Sequence, residues 1–146
     1  MKSLFNTKFL VALLACGSLA VAGDTISAGK LAKDAKKFYG QTVTVKAEVE
    51  DVLDAHSFTL DEDAMFAGPD VLVLVPRGMS ASGLKHDEVV LVTGKVRPYV
   101  QAELEKDYEW FKNGKILSKE NKIDYKTRPV VIAQSIKTES GSELLE

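Results

Sequence analysis

The chain has 146 residues, room for one domain, and its 45% hydrophobic and 27% charged side chains form a balance that argues against wholesale disorder. Its 19 basic and 21 acidic residues leave a net charge of −2, and a mildly acidic body speaks against sequence-independent binding to phosphate backbones. A single cysteine, Cys16, excludes disulfides within the chain, thiolate catalysis outside the leader and cysteine-built metal sites.

The first 22 residues read as a secretory signal peptide. Lys2 and Lys8 form a positive stretch without acidic residues, residues 9–15 open an apolar core, and Ala20-Val21-Ala22 is a small-x-small cleavage site before Gly23. The apolar run is shorter than the roughly 20 residues of a spanning helix. Leu13-Leu14-Ala15-Cys16 also resembles a lipobox, which would make a lipid-modified Cys16 the mature N-terminus and bring the protein to a membrane. Release after Ala22 into the periplasm is favoured, because the apolar stretch continues past Cys16 and no polar tether follows. Without Lys2 and Lys8 the balance becomes 17 basic against 21 acidic residues. The domain expected to fold is 23–138, with a polar, fraying tail at 139–146.

Ser27 is a candidate N-cap for a helix whose apolar stripe is Leu31, Ala35 and Phe38, ended by Gly40. Its other face carries Lys30, Lys33, Lys36 and Lys37, either a solvated surface or an anionic docking surface. Residues 42–53 alternate as a half-buried strand, with a slip at Glu50-Asp51 that predicts a β-bulge. A turn at 54–57 leads to a second strand through Phe58 and Leu60. After a loop, Val71 to Val75 is a continuous apolar run closed by Pro76, as in a strand covered on both faces. Residues 77–85 read as a loop, and 88–99 as the fourth strand, coiled sharply at Gly94. A helix is expected over 101–112, with Leu104, Tyr108 and Phe111 on one face. The fifth strand runs from Val130 through Ile136.

Five strands in so short a chain would leave long exposed edges if they lay in one open sheet. A mainly β fold follows: a small closed five-stranded Greek-key barrel with an N-terminal helix and a helix between strands 4 and 5. An open α+β sheet and a small sandwich are the alternatives. Residues 39–49, Tyr-Gly-Gln-Thr-Val-Thr-Val-Lys-Ala-Glu-Val, resemble the opening of exported bacterial proteins of the oligonucleotide/oligosaccharide-binding (OB) fold. Phe58 to Asp61, Val90 to Val96 and Arg128 to Ala133 are similar to the same group, so the resemblance covers roughly residues 38–137. Its motifs are structural. It implies an OB-type barrel and supplies no catalytic residues, and Ala47 stands where such openings commonly have glycine.

The residues offer no reaction centre. His56 and His86 each fall in a turn without a second ligand at metal spacing. Asp61, Glu62, Asp63 and Asp70 fit no calcium-loop template. There is no Gly-x-Ser-x-Gly, no phosphate loop and no dinucleotide fingerprint, so neither an enzyme nor a cofactor is expected. The connection before the last strand is more suggestive. Lys112, Lys115, Lys119, Lys122, Lys126 and Arg128 face only Glu120 and Asp124, with Trp110, Phe111 and Tyr125 among them. In an OB barrel this connection and the 54–57 turn flank the usual binding face. Trp110, Lys112, Lys115, Lys119, Lys122 and Tyr125 are therefore the candidate ligand-binding residues. The competing view makes Trp110 and Phe111 packing residues beneath solvated lysines. The expected function is a non-enzymatic cell-envelope module recognising a protein, a glycan or a small anion. The alternative is a structural accessory subunit of an envelope complex, and no nucleic-acid partner is expected.

Overall fold

The computed structural model describes residues 25–61, 71–111 and 129–144. The signal-peptide expectation for 1–22, including Cys16, lies outside them. Thr25–Ser27 form a short strand, β1, that leads directly into helix α1, Ala28–Lys33. Ser27 caps that helix as expected, its hydroxyl accepting from the Lys30 amide at 3.1 Å, a contact of the kind that contributes about 1 kcal/mol. The expected single helix is broken at Asp34, which leaves the helical region, and continues as α2, Ala35–Phe38. Leu31 is fully buried in the barrel core, so the short helix plugs the barrel rather than lying on it.

The barrel wall consists of β2 (Thr42–Asp54), β3 (Ser57–Asp61), β4 (Val71–Leu74), β5 (Val89–Pro98) and β6 (Pro129–Thr138). Neighbours run β2-β3-β4-β6-β5, and β5 pairs back onto β2, closing the wall. All pairings in that circuit are antiparallel except β4–β6. This is the five-stranded OB arrangement, and the fold expected from the alternation is the fold observed. Val43, Val45, Ala47 and Val49 point inward from β2 and meet Phe58, Leu60, Val73, Val92 and Ile136 in one interior cluster. Each fully buried Val, Leu, Ile or Phe contributes about 1.5–3 kcal/mol.

The slip at Glu50-Asp51 is the predicted bulge: Val49 pairs with Leu60 and Val52 with Phe58, so β2 holds one residue more than β3 over that step. The Asp51 amide freed by it donates to the Thr59 hydroxyl at 3.2 Å. A second bulge lies across the barrel. Thr93 pairs with Ser135 but Gly94 with Ala133, leaving Gln134 as the extra residue of β6.

Two terminal segments cover edges that the short strands leave open, and the strand pattern did not anticipate either. β3 meets β2 only from Glu48 onward, and β1 pairs in parallel with Thr44 to Lys46 on the vacant edge. β4 meets β6 only through Ile132. Beyond it, the Leu144 amide donates to the Ile136 carbonyl and Lys137 bridges to Glu143. The described part of the polar tail, residues 139–144, therefore turns back onto the barrel instead of fraying, because Leu144 packs against the interior cluster and an open strand edge accepts the chain.

The helix expected over 101–112 is shorter. α3 spans Gln101–Asp107, and after Tyr108 a 3-10 turn runs from Glu109 to Phe111. The break lets Leu104 and Phe111 both reach the outer face of the barrel, where they bury against Leu72, Leu74, Val130 and Ile132 in a second apolar cluster. A continuous apolar strand at 71–74 is thus explained: its inward residues fill the barrel and its outward ones lie under α3.

Candidate functional site

Strand alternation sets Lys95 and Arg97 on the outer wall, because Gly94 and Val96 between and beside them face inward. On β6, Ile132 and the bulged Gln134 face the same way, and a bulge is a means of re-aiming a side chain away from the regular ladder. Tyr108, placed by the break after α3, closes one side. Together with Pro76 and Gly40 these residues line an open groove of about 600 Å³.

Each rim of the groove is fixed by backbone bonds. The Gly40 amide donates to the Val96 carbonyl, and the Val96 amide to the Gln41 carbonyl, both at 2.9 Å. Gly40 holds a φ of 83°, which side chains disfavour, so glycine is needed where the chain turns onto the groove. On the far rim the Val75 amide donates to the His56 carbonyl at 2.8 Å, and His56 Nδ1–H donates to the Val75 carbonyl at 3.0 Å. Asp54 steadies that turn by accepting from the His56 amide and the Ser57 hydroxyl at 2.7 and 2.8 Å.

Among the described residues, one cation of the groove is engaged and one is without an ion pair. Arg97 is three-quarters or more covered, with its Nη1 donating to Asp107 Oδ2 at 2.8 Å and Nη2 at 3.6 Å from Glu103 Oε2. Its guanidinium lies over the Tyr108 ring at 6.0 Å. Burial works against its charge, but the bonds to Asp107 and Tyr108 outweigh burial and hold the proton more tightly than usual. Lys95 is exposed, and neither it nor the Gln134 side chain has an ion pair or hydrogen bond among the described residues.

Of the residues singled out in the sequence, Trp110 is the one that lies within the described part. It is half-buried, stacked on His56 with ring centres 5.2 Å apart, and flanked by Tyr108 at 5.6 Å and Phe111 at 6.3 Å. The ring contact joins the 3-10 turn to the 54–57 turn and packs Trp110 beside Tyr108. Lys112, Lys115, Lys119, Lys122 and Tyr125 lie outside the described residues. Lys95, Arg97, Tyr108 and Gln134 were not singled out: alternating charges on a strand read as a wet face, and only the sheet register reveals the bulge.

His86 is exposed and its Nδ1–H donates to the Glu50 carbonyl, which with the neighbouring Asp87 carboxylate at 3.3 Å raises its pKa above the ordinary 6.5. Among the described residues no three His, Cys, Asp or Glu side chains converge on a point, and no helix is long and apolar enough to cross a membrane.

Strand order and register define the class: an OB-type barrel with a groove on its outer wall. No family model matches the chain, and no curated protein does. Among solved structures, it is similar to a putative aspartyl-tRNA synthetase from Leishmania major, 12% identical with a TM-score of 0.49, covering 90% of this chain and 23% of that one. It is also similar to the aspartyl tRNA synthetase of Entamoeba histolytica, 15% identical with a TM-score of 0.46, covering 93% of this chain and 29% of that one. The chain thus spans about a quarter of the length of these enzymes.

Both neighbours are named as tRNA synthetases. Two expectations are corrected. The envelope module for a protein, glycan or small anion, with its accessory-subunit alternative, is set aside. So is the exclusion of a nucleic-acid partner. The physical fault in that exclusion is that net charge sums the whole surface, whereas binding depends on the local field. Lys95 stands exposed in the groove, with no ion pair among the described residues, despite a net charge of −2.

Proposed function

We propose that the domain is a non-enzymatic binding module for a short single-stranded nucleic-acid segment, seated in the groove on the outer wall of β5 and β6. The observation that carries this is the convergence of the exposed Lys95 ammonium, the re-aimed Gln134 amide and the Tyr108 ring on one open groove. An ammonium takes a phosphate, an aromatic face takes a base by stacking, and an amide pairs with a base edge through both donor and acceptor. Pro129, which follows the basic stretch 112–128 in the sequence, pairs with the groove residue Pro98.

Fluorescence anisotropy with a labelled oligothymidylate of about ten nucleotides, within the ~4–16 nucleotide span of single barrels, tests this. Binding should weaken with salt, and Lys95→Glu should weaken it about tenfold at low salt while lowering the salt slope by about 0.7. Salt-insensitive binding, or a variant that binds like the parent, would contradict the reading.

We also infer export, supported by the basic, apolar and small-x-small succession of residues 1–22. Intact mass of the native protein should then show a chain that starts at Gly23, or a lipid-modified Cys16. A chain retaining residues 1–22 would end that inference.

A further inference from the structure

We infer that Arg97 is the phosphate receptor of the groove, and that Asp107 and Glu103 of α3 occupy it as an internal competitor while the groove is empty. The inference rests on the nucleic-acid reading above. A guanidinium offers its donors in a planar fork that suits carboxylate and phosphate oxygens alike. In this protein the fork is filled from one helix: Nη1 bonds Asp107 at 2.8 Å and Nη2 lies 3.6 Å from Glu103, one turn earlier. The two partners are unequal in access. The Arg97 side chain is 21% exposed and braced against Tyr108, whereas Glu103 and Asp107 are 62% and 46% exposed. The cation is therefore fixed in the groove wall while its carboxylates stand in water and can swing away.

The ion pair is not what holds α3 in place. Leu104 and the following Phe111 are buried in the outer apolar cluster and do that independently. An exposed carboxylate pair is a weak competitor, exchangeable for a phosphodiester whose two free oxygens match the guanidinium fork. Lys95 is two residues away on the same face of β5, roughly 7 Å along the strand. That is the scale on which successive phosphates of an extended single strand are set, so Lys95 and Arg97 can take neighbouring phosphates.

The test is oligothymidylate affinity of the full chain for the parent, Asp107→Asn, and Glu103→Gln with Asp107→Asn, each with a melting temperature. Neutralising the competitor should tighten binding three- to tenfold and leave the salt slope nearly unchanged, since the Arg97 contact to phosphate forms in both proteins. Arg97→Gln placed on the Asp107→Asn background should remove the gain. A parent that binds, with Asp107→Asn binding equally or more weakly, would show the pair to be a staple and overturn this inference alone. If neither the parent nor Asp107→Asn binds, the nucleic-acid reading falls with it.

Discussion

Replacing Gly94 by alanine should lower the unfolding free energy by about 3 kcal/mol or more, and the melting temperature by roughly 10 °C. A Cβ built at Gly94 would lie 2.2 Å from the Ile132 carbonyl oxygen and 2.8 Å from both the Ile132 carbonyl carbon and a Val131 methyl. The first two are backbone atoms of the paired strand, so no rotamer change relieves the contact. Gly94 sits at the bulge where β5 passes from Ser135 to Ala133 and also pairs with Val43 of β2, so β5 is held on both sides and cannot retreat. Urea unfolding of the two proteins measures the difference. A loss below about 1 kcal/mol would mean that the strands part easily there, and that the bulge that aims Gln134 is not fixed by this close approach.

Phe111→Ala should cost about 3 kcal/mol, the cost typical of a buried aromatic truncated to alanine. Phe111 is 1% exposed, lies edge-on to Trp110 and Tyr99, and fastens the 3-10 turn to Leu72, Leu74 and Val130. Its removal acts first on the outer cluster, since the interior cluster does not include it. Tyr108 and the groove wall should loosen before the barrel does. Trp110 is the chain's single tryptophan, so its fluorescence reports this element without ambiguity. The variant should show red-shifted emission below the global melting temperature, and weaker oligothymidylate binding. Unchanged emission with unchanged binding would detach Phe111 from the site.

The barrel was legible because its evidence is periodic. Val43, Val45, Ala47 and Val49 alternate, the slip at Glu50-Asp51 marks a bulge, and Gly94 marks the tight approach, each being a local consequence of a pleated wall with one dry face. The edge closures were not legible. Thr25–Ser27 is too short to show alternation, and its strand state comes from the vacant edge of β2 rather than from its own preference. Residues 139–144 look polar in isolation, yet their backbone finds β6.

The groove was legible least of all. Its members come from β5, β6 and the stretch after α3, and no spacing in the chain links Lys95 to Gln134 or Tyr108. Trp110 drew notice because aromatics among lysines are conspicuous in a sequence. Tyr108, two residues earlier, lines the groove, because α3 ends at Asp107 and leaves Tyr108 extended before the 3-10 turn.

Amide chemical-shift mapping of the labelled protein during titration with oligothymidylate tests the groove most directly. Shifts should gather on Lys95, Arg97, Tyr108, Ile132 and Gln134 and saturate together. Shifts confined to the exposed lysines of α1 and α2, or a spectrum unmoved at saturating oligonucleotide, would contradict the assignment.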